Sequence, residues 1–335
     1  MPRIAALSTS QQPRNSRRRA WLWGAGAALV LAAAGTVWAV VANAVGNEEL
    51  RGALGERTGM GGVELRVADL ELVRGFYEDA VGLEVLEADE DHAVLGAGDR
   101  PLLTLERERA AEITPDRPSE AGLFHSAILF PSERDLAWTL QRIADTAPER
   151  FQGSADHRVS QAFYFGDPEG NGLELYVDRP RDEWTWEGDR VQMGSDPLDP
   201  NQFIREHLGD SDAAGAVMGH VHLRVGDTEQ AKAFYNGVLG FDVTSEEPDA
   251  LFLSAGGYHH HLAANSWNSR GAGVRADGLG LIRFTVKLGT AEELDGIVER
   301  ISAAGLDTER DGAALLVDDP WGNTVRLVVE PVPAA

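Results

Sequence analysis

GGVELRVADLELVRGFYEDAVGLEV (residues 61–85) and GHVHLRVGDTEQAKAFYNGVLGFDV (residues 219–243) are two copies of one pattern, and their recurrence decides the fold. Each opens on an alternation of apolar and polar residues, the period of a strand with one buried face. An Asp marks the turn, and a helical pattern follows that carries Phe-Tyr and closes near Val-Gly or Leu-Gly. Two weaker copies begin at GLFHSAILFPSERDLAWTLQRI (122–143) and GLIRFTVKLGTAEELDGIVERI (280–301). These close in matching turn–strand units, DPEGNGLELYV (167–177) and DPWGNTVRLVV (319–329), where Asp-Pro and Gly-Asn favour reversal. A repeat of this length sets the architecture before any single motif does. The chain is therefore expected to be α+β, with four modules that each read strand, helix, then several strands.

Composition agrees with a folded chain. Its 335 residues are 43% hydrophobic and 25% charged, which suits about two ordinary domains. The formal charge is -24, unevenly spread. Five of the 30 basic residues (Arg3, Arg14, Arg17, Arg18 and Arg19) precede residue 20, leaving 25 against 54 acidic residues in the remainder. That surface repels a phosphate backbone and argues against a nucleic-acid partner. No Cys is present, which excludes disulfides, thiolate metal sites and Cys nucleophiles.

Residues 20–45, AWLWGAGAALVLAAAGTVWAVVANAV, carry no charge and exceed the ~20 residues needed to cross a bilayer. With the Arg cluster before it and Glu48-Glu49 after it, this run is expected to be a single membrane-spanning helix, N-terminus cytoplasmic and the folded part outside. The rival is an export signal: Ser16-Arg17-Arg18 resembles a twin-arginine start and Ala42-Asn43-Ala44 a small-residue cleavage site. The expected organisation is a basic tail (1–19), the anchor (20–45), a linker (46–60), modules one and two (61–178), a second linker (179–216) and modules three and four (217–331).

The repeat resembles the vicinal-oxygen-chelate superfamily of glyoxalases, bleomycin-resistance proteins and extradiol dioxygenases. AGLFHSAILFPSERDLA, DPEGNGLELYVDRPR and SAGGYHHHLAANSW are similar to the two-domain bacterial catechol-2,3-dioxygenase-like proteins, and the resemblance covers about residues 61–330. It implies βαβββ modules paired into two curved-sheet barrels, with metal ligands on the first and last strands of a pair. Aligning the modules gives Gly62, His125, His220 and Arg283 at the first-strand position, and Leu103, Glu174, His261 and Arg326 at the last-strand position. Every candidate ligand falls in modules two and three. Pairing two with three and one with four makes one complete site, with Gly62, Leu103, Arg283 and Arg326 around a metal-free cavity where Glu64 is the nearest carboxylate. Pairing neighbours instead splits the ligands and sets arginines beside histidines.

Two imidazoles and a carboxylate on one face suit a non-haem iron(II) oxygenase. The expected metal set is His125, His220 and Glu174, holding Fe(2+), with Mn(2+), Zn(2+) or Ni(2+) as alternatives. HRVSQAFYFGDPEGNGLE (157–174) is similar to the extradiol pattern His…Tyr-x-x-Asp-Pro-x-Gly…Glu. By that resemblance Tyr164 and His157 hydrogen-bond substrate or oxygen, and His261 aligns with an acid–base histidine. His259 shares the strand face of His261 and is a second candidate, with His260 opposite. His222 shares a face with His220 but aligns with Ala127. Each of these taken alone is more often a core residue than a functional one; it is the recurrence in the repeat that singles them out.

The expected function is extradiol cleavage of a small catechol-type aromatic with O2, in a chain that can also form an oligomer. A glyoxalase-type isomerase or lyase follows if His261 is a fourth ligand. A ligand-sequestering protein without catalysis is the reading from another class.

Overall fold

The computed structural model describes residues 49–110, 113–211 and 214–330. Module one contains β1 (Gly59–Val67), α1 (Leu70–Gly75), β2 (Glu84–Ala88), β3 (His92–Ala97) and β4 (Arg100–Arg107). Module two contains β5 (Gly122–Leu129), α2 (Glu133–Thr146), β6 (Phe151–Asp156), β7 (Ser160–Gly166) and β8 (Gly172–Asp178). Three two-residue strands, β9 (Trp186–Glu187), β10 (Arg190–Val191) and β11 (Asp196–Pro197), and α3 (Pro200–His207) follow. Module three is β12 (Val217–Arg224), α4 (Thr228–Tyr235), β13 (Asp242–Glu247), β14 (Ala250–Ser254) and β15 (Leu262–Asn265). Module four is β16 (Gly280–Leu288), α5 (Ala291–Ala304), β17 (Glu309–Asp311), β18 (Ala314–Asp318) and β19 (Thr324–Val329).

Local chemistry accounts for the helices. Asp69, Ser132, Asp227 and Thr290 each cap a helix by accepting a backbone N–H, satisfying donors that the first turn leaves open. Thr290 and Glu293 form a reciprocal capping box, and Gly305 ends α5 in the left-handed conformation. In α2, Leu136, Ala137, Leu140, Ile143 and Ala144 recur at helical spacing and are buried on one stripe.

The strands form two mixed sheets. One runs β17-β18-β19-β16-β1-β4-β3-β2, and the other β11-β6-β7-β8-β5-β12-β15-β14-β13. Modules one and four thus share a sheet through antiparallel β1 and β16, and modules two and three through antiparallel β5 and β12. Sequence neighbours meet through their helices and turns instead. Tyr77 of module one donates to Asp167 of module two (3.5 Å), and Tyr235 of module three donates to Asp319 of module four (2.8 Å). Arg142 and Arg300 likewise cross between adjacent modules to carbonyls of Glu78 and Val238. One continuous apolar core takes residues from both sheets, including Leu65, Phe284, Ile128 and Leu223.

The expected membrane localisation is corrected. Among the described residues no helix is long and apolar enough to cross a membrane, and residues 20–45, on which the anchor and the signal both rest, lie outside the described residues.

Candidate metal centre

β5 and β12 carry the site because alternate residues of a strand share a face. On β5, Leu123 and Ile128 enter the main core, while Ala127 joins a separate cluster with Ala162 and Tyr176. His125, two residues before Ala127, shares its strand face, and the parallel register of β5 with β8 puts Glu174 beside Ala127. β12 brings His220 opposite Ala127 and His222 opposite His125. Two glycines permit these approaches. A Cβ at Gly172 would collide with the Phe124 carbonyl oxygen, and one at Gly219 with the Tyr176 hydroxyl.

His125, His220 and Glu174, all buried, converge. The His125 Nε2 to Glu174 Oε2 distance is 2.9 Å, His220 Nε2 to Glu174 Oε2 is 3.2 Å, and the two Nε2 atoms are 3.3 Å apart. Adjacent ligands each ~2.1 Å from one ion are separated by about 3 Å, so this donor set fits a divalent metal. Burial alone would raise the Glu174 carboxyl, but the two imidazoles outweigh it and hold the group well below the usual carboxylate range. Burial lowers His125, which favours the neutral imidazole a metal requires. His222 is excluded from the set by its partner. The Asn265 amide, oriented by accepting the Trp267 N–H, donates to His222 Nε2 at 2.9 Å.

Beside the triad, Tyr164 lies directly across from Glu174 in the β7–β8 pair, its ring 5.6 Å from that of His125. His157 bridges from the loop before β7: its Nδ1 is 2.6 Å from the Gly194 carbonyl and its Nε2 is 2.5 Å from the Tyr164 hydroxyl. A carbonyl only accepts, so Nδ1 carries the proton and Nε2 is left to accept from Tyr164. Burial, then the Glu174 carboxylate, raises the Tyr164 phenol well above its ordinary value.

His261 and His259 do not fall where the strand reading put them. The sequence alignment runs two residues out of register in module three. β12 pairs with β15 so that His222 lies beside Ala263, making Ala263 the structural counterpart of Glu174. His261 precedes that strand. Its Nδ1 receives the Ala255 N–H (3.2 Å) and lies 3.0 Å from Ser254 Oγ, and it lines a different cavity of about 860 Å³ with Met218 and Arg181. His259 is wholly buried and bonds Asp178 through Nε2 at 2.9 Å. Of the three consecutive histidines, His260 is the one beside the triad, its ring centroid 4.2 Å from that of His220. Alternation placed it opposite its neighbours, but only the backbone path through Tyr258 and His259 decides which side faces the site.

The other sheet holds the arginine cavity as expected. Gly62, Leu103, Arg283 and Arg326 line about 360 Å³ together with Glu64, which accepts from Arg283 at 2.7 Å. Asp311 accepts from Arg326 at 3.3 Å.

Residues 59–175 and 217–327 match the Glyoxalase/Bleomycin resistance protein/Dioxygenase superfamily. The chain belongs to this superfamily. It is similar to the catechol-2,3-dioxygenase of Bacillus subtilis (strain 168), with 39% identity over 276 residues, covering 79% of this chain and 95% of that protein. Its fold is similar to the crystal structure of a candidate dioxygenase from Bacillus subtilis subsp. subtilis str. 168, with a TM-score of 0.56 at 14% identity, covering 83% of this chain and 86% of that one. It is also similar to a glyoxalase I mutant from Zea mays, with a TM-score of 0.51 at 16% identity over 82% of this chain and 94% of that one. A superfamily member with the His125–Glu174–His220 donor set is a candidate for a divalent metal.

Proposed function

We propose that this chain is an iron(II)-dependent extradiol dioxygenase that opens the ring of a catechol-type substrate with O2. The observation that carries the reading is the joining of a two-histidine, one-carboxylate donor face to the Tyr164–His157 pair across a single strand pair. A glyoxalase-type site would draw a fourth ligand from the position of Ala263, which offers none. The 39% identical catechol-2,3-dioxygenase supports the same choice.

His125, His220 and Glu174 would hold the ion. Iron(II) held there would supply Lewis acidity toward the catechol and one-electron chemistry toward O2. The protein's own groups handle protons. A catechol hydroxyl beside Tyr164 passes its proton to the Tyr164 oxygen as the Tyr164 proton moves to His157 Nε2. The resulting imidazolium stays tethered through Nδ1–H to the Gly194 carbonyl. On the His220 side, His260 takes the acid–base place that the module alignment assigns to His261. Ala127, Ala162 and Tyr176 pack as a buried apolar cluster beside Glu174.

The test is to load the metal-stripped chain separately with Fe(II), Mn(II), Zn(II) and Ni(II) and to assay catechol ring opening. Activity with iron and none with zinc or nickel is expected. Hemithioacetal isomerisation with zinc or nickel, and no ring opening with iron, would replace this reading with the glyoxalase one.

A further inference from the structure

His260 packs against His220 of the triad, and it is held by a chain of hydrogen-bonding groups. Its Nδ1 lies 2.8 Å from Nδ1 of His259, the adjacent residue. His259 Nε2 lies 2.9 Å from Asp178 Oδ1, at the end of β8, four residues beyond Glu174. The same carboxylate oxygen accepts the Tyr258 hydroxyl at 3.2 Å, and Tyr258 bonds the Tyr176 hydroxyl at 2.8 Å. Thr244 fixes the backbone by donating to the His259 carbonyl at 2.6 Å. Aromatic rings pack His259 on several sides, with Tyr258 at 4.1 Å and Trp184 at 5.1 Å between centroids.

The direction of these bonds follows from donor and acceptor inventory. An ionised carboxylate only accepts, so His259 Nε2 must carry a proton. With Nε2–H committed to Asp178, the direction of the Nδ1···Nδ1 bond depends on which of the two rings carries the proton between them. In a neutral His259, Nδ1 is an acceptor and His260 Nδ1 is the donor. The lone pair of His260 is thereby assigned to Nε2, on the side of the ring away from His259. The arrangement parallels the Gly194–His157–Tyr164 chain, in which a fixed acceptor also settles which nitrogen stays free to act.

We propose that Asp178 and His259 are positioning residues that lock His260 in the Nδ1–H tautomer, so that its Nε2 is left as a hydrogen-bond acceptor on a ring packed against His220. This deepens the dioxygenase reading and rests on it for the role of His260, but the tautomer itself does not depend on the reaction.

The experiment has two readouts on the full chain. The first is the nitrogen-15 side-chain spectrum of histidine-labelled, zinc-loaded protein, in which the two ring nitrogens of each neutral histidine are distinguished. A proton on Nδ1 of His260 and on Nε2 of His259 is expected; a proton on Nε2 of His260, or a doubly protonated His259, overturns the proposal. The second is steady-state ring opening by the iron-loaded variants His259→Phe and Asp178→Ala. A fall in kcat of about tenfold or more is expected, with KM and iron content retained. The second variant serves if the first does not fold. Unchanged kcat in a folded variant overturns the proposal, as does a loss confined to iron content. The expected tautomers in a wild-type chain that opens no ring would sink the dioxygenase reading and leave the relay standing.

Discussion

The Nε2 atoms of His125 and His220 lie 3.3 Å apart although 95 residues separate them in the chain. Only the antiparallel pairing of β5 with β12 brings them together, and each also faces the same oxygen of Glu174. Neighbour pairing of modules would have left each imidazole in a different sheet.

Replacing His125, His220 or Glu174 with Ala removes one of three donors from a buried site. Each variant is expected to retain its fold and lose metal affinity by about tenfold or more, the lower bound being what loss of an outer-shell partner already costs. Elemental analysis after dialysis checks this. Undiminished metal in all three variants would contradict the assignment.

Tyr164→Phe keeps the ring and removes the proton path to His157. The expected result is a loss of about 10²-fold or more in kcat for ring opening, at unchanged metal content. His157→Asn is expected to act in the same direction, because Tyr164 then loses the acceptor that lies 2.5 Å away. Equal kcat in wild type and Tyr164→Phe would assign the tyrosine to packing.

The arginine cavity of the other sheet is expected to be energetically separate. Arg283 pairs with Glu64 at 2.7 Å while both are partly exposed, so solvent screening limits the pair to about 1 kcal/mol. Arg283→Ala should lower Tm by about 2 °C and leave metal content and ring opening unchanged. A thermal scan with an iron assay checks both. Loss of iron in this variant would mean that the two sheets communicate.

Asp167 gives a pH signature. Burial pushes its carboxyl from the usual value near 3.8 up to about 6. The folded state therefore binds the proton more tightly than the unfolded chain, and stability attached to this group is present at low pH and falls as pH rises between those values. The difference amounts to about 3 kcal/mol at most. Urea unfolding of wild type and Asp167→Asn at pH 4 and pH 7 measures it. The wild type is expected to lose stability relative to the variant on going to the higher pH, and equal slopes would contradict the shift.

Much of this was legible in the sequence, and the reasons are physical. The four modules were visible because strand and helix periods repeat. Their cross-pairing followed from charge, since Arg283 and Arg326 are incompatible with a cation while His125, His220 and Glu174 together make one candidate donor set. The Tyr164–His157 pair was readable because one short segment carries both. What escaped depends on register. The residues Tyr258, His259 and His260 lie in a loop, and β15 begins only at Leu262, so the module alignment pointed to His261 and strand alternation added His259. The exclusion of His222 needed Asn265, which reaches it from a neighbouring parallel strand. Asp178 stood unnoticed because its partner is 81 residues away.

The most direct test of the central claim is oxygen uptake by the iron(II)-loaded chain with catechol as substrate, set beside the metal content of the same sample. About one iron per chain and one O2 consumed for each ring opened are expected, with neither iron nor uptake after Glu174→Ala. A chain that binds one iron through these residues yet consumes no oxygen with any catechol-type ring would contradict that claim.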